Sequence, residues 1–292
     1  MEKTCESHLA DHVRALAGEI GERHFRRPGS LDLAADYIES QWREAGYPVS
    51  RQSYMAMGVE CFNLEAVLPG NSLKSESIVI GAHYDTVPGS PGADDNASGV
   101  AALLEISRML KDVHVKRTVK LVAFSNEEAP FYFWGEMGSG VYAKEARKKG
   151  EDIRLMISLE MLGYYRDEPK SQRYPPLFRY FYPERGNFIA FVSNFASRGK
   201  MKEAAAFFRK NSDFPLETSA TFSWIPGVAW SDHLSFWRTG YKAFMCTDTS
   251  FFRNPHYHLP SDTPQMLDYS RLAALTSALS GMCADLACCE SL

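Results

Sequence analysis

No run of about 18 consecutive apolar residues, the length a helix needs to cross a bilayer, occurs anywhere in the 292 residues, so no membrane-spanning helix is expected. The opening Met1-Glu-Lys-Thr-Cys-Glu-Ser-His8 also lacks the apolar stretch of a secretory leader, which makes a soluble, cytoplasmic protein the expectation. None of the six cysteines (Cys5, Cys61, Cys246, Cys283, Cys288, Cys289) forms a Cys-x-x-Cys pair, which argues against a cysteine zinc site of the usual spacing. A disulfide framework belongs mainly to small secreted domains, so the adjacent Cys288 and Cys289 are expected to be ordinary thiols. An excess of one charge is missing as well. With 32 Lys and Arg against 36 Asp and Glu the formal charge is −4, and no block of like charge offers a footprint for nucleic acid or anionic lipid. Neither is expected as a partner, and nothing bears on the oligomeric state. Repeats, Gly/Ser linkers and low-complexity tracts are absent too, so a single domain over 1–292 is expected.

What is present is an alternation of apolar runs and amphipathic stretches. The first 46 residues predict two helices, His8 to about Ile20 and a second capped by Ser30 and ended by Gly46, with Leu33, Ala34, Tyr37, Ile38 and Trp42 on its inner face. From residue 47 the pattern predicts strands at Cys61–Val67, Ser77–Ala82, Thr118–Phe124, Leu155–Met161, Phe188–Ser193 and Lys242–Cys246. Between them it predicts helices at Ala97–Lys111, Gly140–Lys149, Lys202–Arg209, Asp232–Arg238 and Tyr269–Cys288. Strands apolar on both faces, such as Ser77-Ile-Val-Ile-Gly-Ala82, imply a sheet covered twice, hence an α/β fold with a mostly parallel sheet flanked by helices on both faces. Residues 166–186, rich in Tyr, Phe, Pro and Arg, are the least regular stretch and predict a surface excursion near the site or a contact surface.

The chemistry is written at the predicted strand ends, where open α/β sheets present ligands. Gly81-Ala-His83-Tyr-Asp85 closes one strand, and its His-x-Asp spacing lets Asp85 accept the imidazole hydrogen a metal does not need. Gly92-Ala-Asp94-Asp95-Asn96 is a polar loop opening into a helix, in which Asp94 or Asp95 would bridge two cations. Ser125-Asn-Glu127-Glu128 follows another strand, and adjacent carboxylates repel unless a cation or proton intervenes. One glutamate can ligate while the other takes a proton from a water. Glu160 sits in the apolar run Ser158-Leu-Glu-Met-Leu, where a buried carboxylate must be neutralised, hydrogen-bonded or metal-bound. Tyr257-His258 lies on the loop before the last helix, with Asp262 placed to orient the imidazole. A set of two histidines and three carboxylates with a spare glutamate suits zinc, with manganese or cobalt as substitutes.

The order His-x-Asp, Gly-Ala-Asp-Asp-Asn-x-Ser-Gly, Asn-Glu-Glu, Leu-Glu-Met and Tyr-His-x-x-x-Asp-Thr, running from about residue 60 to the C-terminus, resembles the co-catalytic dizinc aminopeptidases, relatives of the glutaminyl cyclases. The resemblance implies a twisted mixed sheet flanked by helices and two zinc ions. It implies one zinc on His83 and Glu160, the other on Glu128 and His258, and Asp95 between them. It makes Glu127 the general base and Tyr257 a hydrogen-bond donor to the developing oxyanion, in a metallo-exopeptidase acting on peptides or aminoacyl compounds. Its rivals are a one-zinc glutaminyl cyclase and a non-enzymatic scaffold or receptor-like domain. The 97 residues between Glu160 and His258 leave no room for the separate lid domain of larger dizinc carboxypeptidases. Two departures stand out: an aromatic insert, Pro130-Phe-Tyr-Phe-Trp134, after the Glu-Glu pair, and Glu160 where many aminopeptidases carry Asp. Trp134, Asp232 and His233 are expected to line the substrate site, Ser231 or Asp232 to cap a helix, and the aromatics at 131–134 and 174–182 to build an apolar specificity pocket.

Overall fold

The computed structural model describes residues 2–134 and 136–292, without the side chains of residues 2–4, 133 and 134. Eight strands form one mixed sheet in the order β1-β2-β4-β3-β5-β8-β6-β7. They are β1 (Val49–Ala56), β2 (Val59–Leu68), β3 (Leu73–His83), β4 (Arg117–Phe124), β5 (Asp152–Glu160), β6 (Ile189–Ser193), β7 (Leu216–Ala220) and β8 (Ala243–Thr247). The four central strands β4-β3-β5-β8 are mutually parallel, while β1, β2 and the β6–β8 pair are joined antiparallel.

Helices α1 (Glu2–Val13, continued by a wider turn to Ile20), α2 (Ser30–Glu44), α3 (Gly99–Leu110), α6 (Arg198–Asn211) and α8 (Tyr269–Cys288) bury the larger apolar cluster against one face. Helices α5 (Gly138–Lys148) and α7 (His233–Arg238) cover the other through Tyr142, Ala143 and Phe236, and α4 (Phe131–Trp134) is a single turn. Double coverage explains why β3 is buried at every residue from Ile78 to His83 and β5 from Leu155 to Glu160. The fold is therefore the expected α/β domain, and α1 and α2 share the cluster of the sheet, with Leu9, Val13, Ile38 and Trp42 fully buried.

Two strands had no legible signal. β1 is an edge strand whose residues alternate without an apolar face, Val-Ser-Arg-Gln-Ser-Tyr, and it is held by its register with β2 across a two-residue turn, Met57-Gly58, with φ of 50° and 79°. β7 is the opposite edge. Its outward carbonyls are occupied, Leu216 accepting from Arg209 and Thr218 from Tyr182, which blunts the edge against further pairing. In α2 the inner face is Leu31, Ala34, Ala35, Ile38 and Trp42; Leu33 is 60% exposed, and Ser30 is the first helical residue after Gly29 and not a side-chain cap.

Candidate metal centre and cleft

The chain leaves β3 toward β4 on one side of the sheet and reaches β5 on the other, so β3 is the switch point at whose carboxyl end an open α/β sheet forms its crevice. His83 ends β3, Glu127 and Glu128 follow β4, Glu160 ends β5, and the loop after β8 carries Tyr257 and His258. Parallel pairing in register, His83 beside Phe124 and Glu160 beside Thr247, brings these ends side by side. Three residues at the rim, Asn126 (φ 57°), Met161 (φ 49°) and His258 (φ 59°), adopt left-handed backbone that costs about 1–2 kcal/mol each, strain that collects where side chains must be aimed.

Two groups of ligand-type atoms converge there and share Asp95. The first is His83, Asp95 and Glu160, with His83 Nε2 3.3 Å from Asp95 Oδ1 and 3.4 Å from Glu160 Oε2. The second is Asp95, Glu128 and His258, with His258 Nε2 3.1 Å from Asp95 Oδ2 and 3.3 Å from Glu128 Oε1. Donor atoms about 2 Å from one tetrahedral ion stand ~3.3 Å apart, so each group has the edge lengths of half-built coordination tetrahedra. His83 Nε2, Glu128 Oε1 and His258 Nε2 are buried without a hydrogen-bond partner, an omission a cation would repair. The donor set of each group thus fits a divalent cation, and Asp95 is common to both. Glu127 belongs to neither group, although it lines the same cleft.

The loops carrying these ligands are held by a repeated device. Asp85 accepts the Glu127 and Glu128 amides on its two oxygens, at 3.0 and 3.1 Å, and Asp262 accepts the Asp94 and Asp95 amides in the same way, at 2.9 and 3.1 Å. Asp85 also stands 3.4 Å from His83 Nδ1, whose shorter contact, 3.2 Å, is to the Asp85 carbonyl. Asp262 was expected to orient His258; its bonds go instead to the Asp94 and Asp95 amides, which the turn at Gly92 presents to it unpaired. Asp94 turns away from the cluster to accept from Gly163 N–H and Asn254 Nδ2, leaving Asp95 alone between the two groups. Gly92 permits the tight loop before them: its φ is +60°, and a Cβ would lie 2.2 Å from the Asp95 carbonyl. Asn96 braces the far side, donating to the Leu159 carbonyl and accepting from Met161 N–H.

One supporting residue carried no sequence signal. Arg23, wholly buried between α1 and α2, donates to five carbonyls: Tyr84, next to His83; Pro91 and Gly92, before the Asp95 loop; and Leu16 and Gly21. Burial lowers its pKa to about 10, opposed by the charges of Asp85, Asp262 and Asp95. Arg23→Met would strand several buried carbonyls, each worth about 1–3 kcal/mol. We expect a fall in melting temperature together with weaker zinc retention in chelator competition; unchanged values in both would show that the guanidinium does not brace the site.

The cleft has a volume of about 290 Å3 and is walled by Tyr132, Trp230, Met245, Phe251 and Tyr257 beside the acidic cluster. Tyr257 stacks on His258 at 3.7 Å between ring centroids, and burial raises its pKa. Asp232 and His233 are fully buried and do not line the cleft. His233 Nε2 binds the Val228 carbonyl, both Asp232 oxygens lack partners, and contact with a substrate is closed to either side chain. Asp232 occupies the N-cap position of α7, as expected of one of the pair, but its side chain makes no capping bond; Ser231 Oγ donates to Glu160 Oε2 at 2.7 Å. The Trp134 side chain lies outside the described residues. Of the aromatic insert, Phe131 is buried against Phe25 in the core, and Tyr132 is the residue that reaches the cleft.

The cluster is acidic and, apart from the half-buried His258, buried. Burial, then Asp95, pushes Glu128 up to about 7 against His258, and burial followed by Glu128, Glu160 and Asp232 raises Glu127 well above the carboxylate range despite His83. Burial likewise holds Asp232 and Asp262 at about 7, and Asp95 and Glu128 raise His258 to about 10 over the opposing effect of burial. A carboxyl with a raised folded pKa loses stability as pH climbs from its unfolded to its folded value, and a raised imidazole does so from about 6.5 upward. The metal-free protein should therefore melt at progressively lower temperature from about pH 5 to about pH 9, with zinc restoring more at the alkaline end. A flat metal-free profile over that range would contradict this picture.

The model of peptidase family M28 matches residues 63–282. The "Uncharacterized protein YfbL" of Escherichia coli (strain K12) is 37% identical over 280 residues, covering 93% of this chain and 85% of that protein. "Leucine aminopeptidase 1" of Uncinocarpus reesii is 26% identical over 243 residues, covering 78% of this chain; the matched part spans only 55% of that relative's length. The fold is similar to that of BSAP, a zinc aminopeptidase from Bacillus subtilis, with a TM-score of 0.78 at 15% identity over 98% of this chain and 96% of that one. It is also similar to that of Fimbriiglobus ruber glutaminyl cyclase, with a TM-score of 0.71 at 20% identity over 96% and 94%. With most of its length inside the family match and a relative well above 30% identity, the chain belongs to peptidase family M28 and is a metallopeptidase of that family.

Proposed function

We propose that the chain is a zinc-dependent aminopeptidase that hydrolyses the first peptide bond of its substrates, with two ions per chain held by His83, Asp95, Glu128, Glu160 and His258. The observation that carries this reading is the pair of ligand groups sharing Asp95 with a carboxylate, Glu127, beside them and outside both. Bound zinc would supply Lewis acidity toward a carbonyl oxygen and lower the pKa of a water. Glu127 accepts the proton of the attacking water on its carboxylate and returns it to the departing amine. Tyr257 donates its phenolic hydrogen toward the oxyanion, and its raised pKa keeps that hydrogen in place at neutral pH. The acidic wall of Glu160 and Glu127 attracts the free α-amino group, while Trp230, Met245 and Phe251 exclude water and take an apolar side chain. Asp85, Asp262 and Arg23 hold the loops so that these groups meet without rearrangement. The test is zinc per chain measured with hydrolysis of a panel of aminoacyl amides and a glutaminyl peptide. About two zincs and released N-terminal amino acids are expected; about one zinc with cyclisation of the glutaminyl peptide would replace this reading by a cyclase, and a metal-free, inactive protein would remove it.

A further inference from the structure

A second cavity, of about 100 Å3, adjoins the cleft and is almost wholly apolar. Its roof is the irregular excursion of residues 166–186, where Tyr174 and Phe178 each stack on Tyr182 with ring centroids 5.9 Å apart. Its floor is β6. By the pleat, Ile189 and Phe191 face the helix-covered core, while Phe188, Ala190 and Val192 face the cavity. Gly227, Met245, Ser250 and Phe251 line both the cavity and the cleft. The partition is thin: a glycine with φ +84°, whose absent Cβ would stand 3.4 Å from Phe252 and 3.5 Å from Phe251, beside a serine and two side chains with rotatable ends.

We propose that this cavity is a second compartment of the substrate site, taking the outer part of a bulky apolar side chain on the substrate's N-terminal residue. The proposal rests on the aminopeptidase reading and extends it to substrate class. An apolar space of this size gives water too few hydrogen-bond partners, whereas aliphatic or aromatic carbon fills it well. Four residues common to both walls place it directly beyond Met245 and Phe251 from the acidic cluster and under the aromatic roof, so a side chain entering from the cleft reaches it by displacing the rotatable ends of those two residues. The excursion, which contributes no ligand to the metal centre, thereby acquires a role in selecting long or aromatic side chains over small ones.

The test uses the zinc-loaded full chain and aminoacyl amides of alanine, leucine, phenylalanine and homophenylalanine. Ala190→Phe fills the cavity from β6 without touching the cleft. It should lower kcat/KM for phenylalanine and homophenylalanine by about tenfold or more while leaving alanine within about twofold. Phe178→Ala opens the roof and should shift the ratio of homophenylalanine to alanine upward by several-fold. If Ala190→Phe fails to fold, the roof variant decides alone. Folded variants with the wild-type ratio, or with equal losses on all four substrates, would overturn the second compartment and leave the aminopeptidase reading standing. A zinc-loaded wild-type chain that hydrolyses none of the four would instead defeat the aminopeptidase reading, and the compartment with it.

Discussion

Glu127→Gln should lower kcat by about 10²–10⁴-fold, the range spanned by removal of a general acid–base group, while zinc content stays at its wild-type value. The separation of the two readouts follows from the geometry: Glu127 lines the cleft but contributes no atom to either ligand group. Its backbone amide, held by Asp85, is untouched by the substitution, so the loop that aims Glu128 keeps its shape. Glutamine is also nearly isosteric and removes a carboxylate whose pKa is raised by burial, so the metal-free variant should melt no lower than wild type near neutral pH. Retained activity would assign the proton transfer to another group, and loss of zinc would make Glu127 a ligand. Either result can be read from one preparation by metal analysis and initial rates.

The second large effect belongs to Asp95. Its two oxygens point to different histidines, Oδ1 toward His83 and Oδ2 toward His258, and it is the one residue shared by both ligand groups. Asp95→Ala should therefore weaken retention of both ions, by about 100-fold or more, since loss of even an outer partner of a ligand costs 10–100-fold. Glu160→Ala should weaken one ion and Glu128→Ala the other. Titration of the stripped variants with zinc against a chelator of known affinity distinguishes these cases. A variant at position 95 that still binds two ions as tightly as wild type would mean that the two groups are not joined through this carboxylate. Both Asp95→Ala and the single-group variants should also lose turnover, but stoichiometry is the sharper measurement because it does not depend on the choice of substrate.

The two supporting carboxylates show where reading from residues reaches its limit. Asp85 and Asp262 are identifiable as partners of the site because each follows a histidine at short spacing. Yet each spends its oxygens on consecutive backbone amides of a different loop, about 42 and 168 residues away in the chain. Spacing along the chain reports which side chains are near a histidine; it contains nothing about which unpaired amides a distant loop will present. Arg23 makes the same point more strongly, since the acceptors of its guanidinium are all carbonyls, which every residue carries. Likewise the cleft wall at Tyr132, Trp230, Met245 and Phe251 comes from four separate segments of the chain, and its apolar residues look no different from core residues in sequence.

Several features were nonetheless determined by the sequence itself. Apolar runs of period two and amphipathic stretches of period 3.6 place six of the eight strands and the main helices, because burial on both faces of a sheet demands such runs wherever the chain passes through the centre. The chemistry of the candidate ligands is also local, since a buried carboxylate in an apolar run, or two adjacent glutamates after a strand, must find a cation or a proton wherever the chain goes. Tertiary structure alone decided the rest. It selected Asp95 over Asp94 by turning Asp94 toward Gly163 and Asn254, sent Phe131 into the core and Tyr132 to the cleft, and laid the excursion of 166–186 over a cavity beside the site. The edge strands β1 and β7 belong to the same class, defined by pairing and by capped carbonyls more than by their own residues. The physical reason is common to all of these: periodicity records whether a residue must be buried, whereas direction and partner are settled by side chains and amides that meet only after distant strands align.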